Sequence, residues 1–386
     1  MLLQNKQVAI IGGGPGGLTL AKLLQLKNVN VKVYERDTNK NARVQGSPLD
    51  LHENSGLAAL EKAGLMEEFK KNFMVGADKT TITNPQAEIF YNEHETDKKE
   101  ENFWYEHFRP EIDRGVLRKI LLESLEPNTI IWGSHFLSME KENEGWILHF
   151  KNGKDVYADI VIAADGANSK IRPYLTDIKP FYTGILMLEG NIYDAENSVP
   201  KISSILKGGK IMAFGNEQNI LMGQKADGEI GFYVSFKAQE NWVIKSRLDF
   251  SDRDKVLDWF KSNYSEWSDI WHELFENTST PFIPRPIYCM PLDQTWEAQD
   301  NLTLLGDAAH LMPPFAGEGV NMAMLDALKL SEYLTNNEYK STLESILHYE
   351  KEMRERASVI AQESIENGEK MHSKNALSTM LEFFNH

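Results

Sequence analysis

Residues 8–17 read Val-Ala-Ile-Ile-Gly-Gly-Gly-Pro-Gly-Gly, a β-branched run that empties into six residues of which five are glycine. Apolar residues at helical spacing follow from Leu18 to Leu26, and Val29 to Tyr34 alternates as a second strand ending at Glu35. These three pieces predict a βαβ unit. Gly12, Gly14 and Gly17 fill the three glycine positions of the G-x-G-x-x-G pattern. Gly12 would permit the tight turn, Gly14 a close approach of backbone to a pyrophosphate, and Gly17 close packing of helix on strand. With Pro15 between them, the loop opens a helix whose first N–H groups can meet an anion. Glu35 stands 23 residues after Gly12 and is placed to accept hydrogen bonds from an adenosine ribose, with Arg36 beside it. The pattern predicts a dinucleotide ligand but does not separate FAD from NAD.

Working outward, the spacing of Ile112, Val116, Ile120 and Leu121 predicts a helix from Arg109 to Leu125, and Val156 to Ala164 predicts one buried strand. Between about Leu175 and Pro291, turn signals at Gly208-Gly209 and Asp227-Gly228 separate runs of period-two alternation, which predicts an antiparallel sheet. Ile230, Phe232, Val234 and Phe236 should pack on one face of it, leaving Gly231, Tyr233 and Ser235 on the other. Asn301 to Leu305 returns to a short buried strand, a helix follows from about Gly319 to Leu334, and one or two long helices close the chain beyond Lys340. The expected fold class is α/β: a discontinuous Rossmann-like domain (1–174 and 296–338, with 76–102 able to join the second unit), a sheet-based substrate domain (175–295) and a C-terminal helical segment (339–386).

Composition narrows the chemistry. Fifty-seven acidic against 41 basic side chains give a formal charge of −16 over 386 residues, which repels nucleic acid and anionic lipid. Cys289 is the only cysteine, so no internal disulfide forms, and the ten histidines show no metal-ligand spacing. No apolar run approaches the roughly 20 residues that span a bilayer, and the first strand begins too early for a secretory leader. The expectation is a cytoplasmic monomer without metal, membrane or nucleic acid partner. There is no G-x-S-x-G elbow or other nucleophile signature.

Two later motifs choose the ligand. Ala163-Ala164-Asp165-Gly166-Ala167-Asn168-Ser169-Lys170-Ile171-Arg172 has the form of an Asp-Gly signature, and Leu305-Gly306-Asp307-Ala308-Ala309-His310 that of a Gly-Asp signature. With the glycine loop, in this order and over nearly the whole chain, the sequence resembles the aromatic-hydroxylase family of flavoprotein monooxygenases, the para-hydroxybenzoate hydroxylase type. The resemblance implies bound FAD, with Asp307 on the ribityl chain, Arg114 at the ribityl-phosphate region and Asp165 in the same site. A carboxylate can accept two hydroxyl donors and a guanidinium matches a phosphate, so the residue types suit those roles. Pro314, Gly317, Gly319, Val320 and Asn321 would let backbone approach the flavin ring, and the helix that starts there would stabilise negative charge on reduced flavin. His310 reads as a hydrogen-bonded structural residue. The resemblance further implies that NAD(P)H reduces the flavin, that O2 forms a C4a-hydroperoxide, and that this species oxygenates the substrate with no protein side chain as catalyst. Arg43 is the candidate contact for NADPH or NADH. Two other readings remain: a flavin oxidoreductase that never oxygenates, and a flavin-fold escort or binding protein, against which the retention of Glu35, Arg114, Asp165 and Asp307 argues.

Val33-Tyr34-Glu35-Arg36-Asp37, Leu49-Asp50-Leu51-His52 and the run from Gly306 to Gly317 look like the tetracycline-inactivating flavin monooxygenases. That resemblance implies an antibiotic-resistance activity on an enolic polycyclic substrate, Asp50 as a flavin-site residue and Phe315 as a pocket wall. Where those enzymes carry Gln, Arg, Phe, Asn and His against the drug, an ungapped reading places Glu189, Lys210, Leu221, Gly223 and Gly231, with Met212 and Tyr233 on the same face. A buried carboxylate at Glu189 would have to be protonated or paired, and leucine for phenylalanine removes a stacking surface. A different phenolic or polycyclic substrate, or one carrying an amine, is therefore also expected.

Overall fold

The computed structural model describes residues 2–42, 48–95, 103 and 108–384. Its first layer is a parallel sheet of five strands in the order Leu302–Leu304, Ile160–Ala163, Val8–Ile11, Val31–Tyr34 and Ile130–Ile131. The three strands at its Leu302 end are buried throughout, because helices and a second sheet cover both faces. The Pro15–Gln25 helix lies against the Gly319–Thr335 helix on one side. On the other, an antiparallel sheet of Phe136–Glu142, Gly145–Phe150 and Asp155–Ala158 contributes Phe136, Trp146, Leu148 and Phe150 to the same core.

Two boundaries differ from the sequence expectation, each for a local reason. The run from Val156 to Ala164 is two strands in two sheets, broken at Asp159, whose carboxylate accepts the Gln7 N–H at 2.7 Å. The helix expected from Arg109 begins only at Arg114, since Asp113 accepts the N–H groups of Gly115 and Val116 at 2.8 and 3.1 Å and so caps it. Glu111 and Ile112 pair instead with Asp50 and Leu49 in a two-stranded ladder.

The second unit is a seven-stranded sheet: Ile283–Cys289, Phe181–Ile192, Ile230–Lys237, Gln218–Gln224, Lys210–Phe214, Thr80–Thr83 and Ile89–Asn92. All neighbours are antiparallel except Lys210–Phe214 and Thr80–Thr83. Residues 80–92 thus supply two strands to this sheet, while 96–102 lie outside the described residues. One face carries Leu188, Ile220, Phe232 and Val234 into a core with Phe260, Trp271 and Phe275 from helices that the alternating pattern did not predict. Each such large side chain contributes about 1.5–3 kcal/mol on burial. Gly190 makes room there, because a Cβ on it would come within 2.3 Å of the Phe232 ring.

The 30-residue helix Thr342–Met371, capped by Ser341, links the units: Tyr349 and Met353 enter the core of the parallel sheet, and Met371 packs with Ile82 and Phe214 of the larger one. His372 fixes the far end, meeting the Ser235 hydroxyl at 2.7 Å and the Asn219 amide at 3.1 Å while its other ring nitrogen donates to the Gly368 carbonyl at 2.7 Å. Burial holds His372 neutral, down at about 4. The final helix, Ala376–Phe384, covers Tyr91 and Met212. Among the described residues no helix is long and apolar enough to cross a membrane and no acid, His and Cys cluster could hold a metal.

Candidate cofactor and substrate site

Three loops meet at the carboxyl ends of the parallel strands, where ligands bind in open α/β sheets. Gly12 has φ +113°, and a Cβ there would meet the Ala164 carbonyl at 2.2 Å, so the glycine loop and the Asp-Gly loop touch through backbone that no larger residue allows. A Cβ on Gly14 would meet nothing within 4 Å: the loop presents backbone to open space at this position. Gly16 abuts Leu305 of the third loop, and Gly306 turns with φ +58° to start the short helix Asp307–His310. Glu35 is buried and accepts the N–H of Gly13 at 2.6 Å and of Asp37 at 2.9 Å. A buried carboxylate at this strand end is the type of group that accepts ribose hydroxyls.

Arg172, the last residue of the Asp-Gly signature, ties two of the loops. Its guanidinium donates to the carbonyls of Ala308 (2.7 Å), Asp307 (2.9 Å) and Ala167 (3.2 Å). Arg118 is buried under the glycine loop and donates to Gly13 O, Lys40 O and Asp37. Both are arginines within predicted helical or loop texture, and only long-range contact distinguishes them from surface residues.

Asp307 makes no side-chain hydrogen bond to any described residue. Burial raises its pKa, offset in part by the positive charges of His310, Arg114 and Arg172. Asp165 keeps one carboxylate oxygen on the Lys170 N–H at 2.9 Å and leaves the other buried without a partner. Burial raises its pKa as well. Two carboxylates with acceptor oxygens not bonded to described residues, on loops that abut the glycine turn, fit a polyol-diphosphate ligand such as FAD. His310 stands behind them, 2.5 Å from buried Asp326, which also accepts the Gly306 N–H at 2.9 Å and Arg356 at 2.7 Å. It is a structural member of the turn.

The loop 313–319 leaves Pro314, Gly317 and Gly319 exposed. Beneath it Asn321 is buried: its amide donates to Asp50 O at 2.9 Å and its oxygen accepts from His52 N, Ser55 and Gly56 N. Val320 is half-buried beside it. His52 lies between two acids, Glu318 at 2.8 Å and Asp50 at 3.1 Å. Burial alone would lower its pKa, but those two hydrogen bonds and charges push it up to about 9, so it is an imidazolium donating from both nitrogens. Asp50 is held below its usual value against its own burial, by the His52 hydrogen bond and the charge of Lys210. Asp50 and Asn321 are the residues the sequence motifs single out here, and His52 and Glu318 gain a role only from the folded geometry. Arg36 is exposed, and Arg43 falls outside the described residues.

On the seven-stranded sheet, strand register places Glu189, Tyr233, Leu221 and Met212 in one transverse row, and Asn191, Gly231, Gly223 and Lys210 in the next. All are on the face opposite the helix-covered core, and Phe315 from the 313–319 loop packs at the same side with Met212 and Leu221. The Glu189 carboxylate is paired: Arg285, unremarked in the sequence, donates from Nε and Nη2, both at 2.8 Å. An amine-bearing substrate therefore finds that charge already answered.

This architecture defines a flavin-dependent enzyme, and comparison with known proteins agrees. Residues 5–364 match the model of the FAD binding domain family, and the chain belongs to that family. The monooxygenase asqM of Emericella nidulans is 27% identical over 86% of this chain and 85% of its own length. Klebsiella pneumoniae HpxO, solved with FAD and uric acid, shares the fold with a TM-score of 0.77 at 18% identity over 98% of this chain and 92% of that one. Tetracycline destructase Tet(55) does so with a TM-score of 0.76 at 17% identity over 97% and 92%. The protein is an FAD-dependent monooxygenase of the aromatic-hydroxylase type.

Proposed function

We propose that the protein uses NAD(P)H and O2 to hydroxylate a small, flat aromatic or enolic polycyclic substrate lying between the 313–319 loop and the Glu189–Lys210 face of the large sheet. The observation that carries this reading is the meeting of the Gly12–Gly17 turn, Asp165 and Asp307 at one sheet end, opposite a half-exposed face. Glu35 would hold the adenosine ribose, the glycine turn the pyrophosphate, Arg114 the neighbouring phosphate, and Asp307 the ribityl chain. When bound, FAD supplies acceptance of hydride from the nicotinamide and activation of oxygen. The chain's own part is to orient and to exclude water: the 313–319 loop closes one side, and the Gly223–Gly231 pair leaves a low floor suited to a planar ring. HpxO binds uric acid and the destructases are named for tetracycline, which makes a polycyclic enol a candidate substrate here.

The test is mass-labelled oxygen. FAD-loaded protein is supplied with NADPH or NADH and 18O2, alongside tetracycline, uric acid and a panel of phenols and hydroxypyridines. One labelled atom in a product, with substrate-dependent consumption of the nicotinamide, is expected. Hydrogen peroxide with no labelled product from any member contradicts the reading.

A further inference from the structure

Behind the Asp307–His310 turn lies a small hollow walled by the 290–294 segment, the turn itself and the long Thr342–Met371 helix. It measures about 10 Å³, roughly the room that the centre of one water molecule needs. Three of its wall residues carry a buried polar atom that no described group bonds: Gln294 Oε1, His310 Nδ1 and Arg354 Nη1. Buried polar atoms are nearly always paired, so three orphans around one hollow point to a shared ligand. The rest of each side chain is fixed. The Gln294 amide donates to the Ala309 carbonyl at 3.0 Å, and His310 Nε2 lies 2.5 Å from Asp326. Arg354 stacks 4.7 Å from the Trp296 ring centre, with Nη1 3.6 Å from Glu350, beyond hydrogen-bond reach.

The pattern of donors and acceptors selects that ligand. Burial would lower the His310 pKa, but the charge and hydrogen bond of Asp326, then the charge of Asp307, raise it. The ring is therefore an imidazolium with a hydrogen on Nδ1. The other charges set around it are Arg356, which binds Asp326 at 2.7 Å, and Arg354 across the hollow. The hollow thus offers two donors, His310 Nδ1 and Arg354 Nη1, and one acceptor, Gln294 Oε1. A cation is repelled by the first two and an anion by the third. Water fits all three: it accepts twice, donates once to Gln294, and keeps its second hydrogen for the half-buried Ser358 hydroxyl on the same wall or for solvent.

We propose that the hollow binds one water and that this water is the route by which His310 exchanges its proton with solvent. The Nδ1–H bond breaks, the water takes that proton while passing one of its own outward past Ser358, and the imidazole is left neutral with Nδ1 accepting from the same water. No electron moves. His310 is otherwise sealed, at 3% exposure. Its charge acts on Asp307, so the route lets the turn adjust its charge to whatever lies against that acid. This last consequence, unlike the water itself, rests on the placement of FAD proposed above.

Two measurements on the FAD-loaded protein test this. Crystals grown in bromide should show one light atom within hydrogen-bond reach of Gln294 Oε1, Arg354 Nη1 and His310 Nδ1, without anomalous signal. Anomalous scattering there would mean an anion, and no density would mean that the three atoms stay unpaired; either overturns the proposal. NMR of protein with 15N-labelled histidines then reads exchange of the His310 Nδ1 proton with solvent, the signal being assigned by its displacement in Gln294→Leu. Ala361→Val adds bulk to the wall of the hollow and should slow that exchange at least about tenfold. Val359→Ala, on the exposed side of the same helix, should leave it as in wild type. Equal rates in Ala361→Val and wild type would overturn the proposal. Should Ala361→Val not fold, the buried His372 ring, whose Nδ1 is bonded to the Gly368 carbonyl, serves as the reference: a His310 proton that exchanges no faster than this one contradicts the route. A protein that takes up no FAD fails the earlier reading alone, since neither the density nor the exchange rate needs flavin.

Discussion

The proposed cofactor end and the proposed substrate end of this site are built by different means. At the parallel sheet, short contiguous segments do the work with backbone: a turn at Gly12 pressed on Ala164 and a turn at Gly306 that starts the short helix at Asp307. On the large sheet the face is assembled from side chains brought together by register, and its charges are answered from far along the chain, as Glu189 is by Arg285, 96 residues away. An end made of backbone turns tolerates almost no substitution. An end made of side-chain pairs can be retuned by changing one partner, which is how one flavin frame accommodates many substrates.

Asp307→Ala should break the first end outright. Losing two charge-assisted hydrogen bonds at about 1.5–3 kcal/mol each predicts at least a hundredfold weaker FAD binding, read as a colourless protein after desalting. Stoichiometric flavin in that variant would mean the acid is not where the ribityl chain lies. Next in size is Arg172→Leu, which strips the donor from three carbonyls that join two loops. A loss of about 3 kcal/mol in urea unfolding is expected; an unchanged midpoint would show the loops hold each other through backbone alone.

His52 sharpens the comparison, because it belongs to the cofactor side yet depends on side-chain partners. Its pKa rises from 6.5 to about 9 on folding, so its contribution is fully present below pH 6.5 and is lost as pH climbs through about 9. The melting temperature should fall across that window by an amount equivalent to about 3 kcal/mol. Glu318→Gln should shrink this pH dependence, and a slope equal to wild type would contradict the double contact. The smallest effect is expected at Arg285→Met. Arg285 is half-exposed, so about 1 kcal/mol is lost, and adding Glu189→Gln should restore most of it by removing the acid left unpaired. If the double variant is no more stable than the single, the pair is ornamental.

Legibility in the sequence followed the same division. Gly12 and Gly17 are legible because a positive φ or a close backbone approach forces glycine there, whereas Gly14, Glu35, Asp165 and Asp307 are legible only by their places in contiguous motifs. The single strand expected from Val156 to Ala164 was misread because hydrophobic continuity does not show a change of sheet, which only the Asp159 carboxylate marks. Helices such as Arg253–Asn263 hid inside a region whose strands dominate its texture. The face of the large sheet was assigned correctly by alternation, and register supports it. Its pairings were not: nothing local to Glu189 announces Arg285, nothing near Lys210 announces Glu111, and His52 gains meaning only when Glu318 folds back against it.

The central claim is that one flavin joins the amino-terminal turn to the acid at position 307, and a crystal structure of the protein grown with FAD addresses it directly. The account predicts adenosine ribose hydroxyls on Glu35, diphosphate over Gly14, and ribityl hydroxyls on Asp307. Density for the flavin anywhere that leaves either carboxylate without a ligand contact would contradict it.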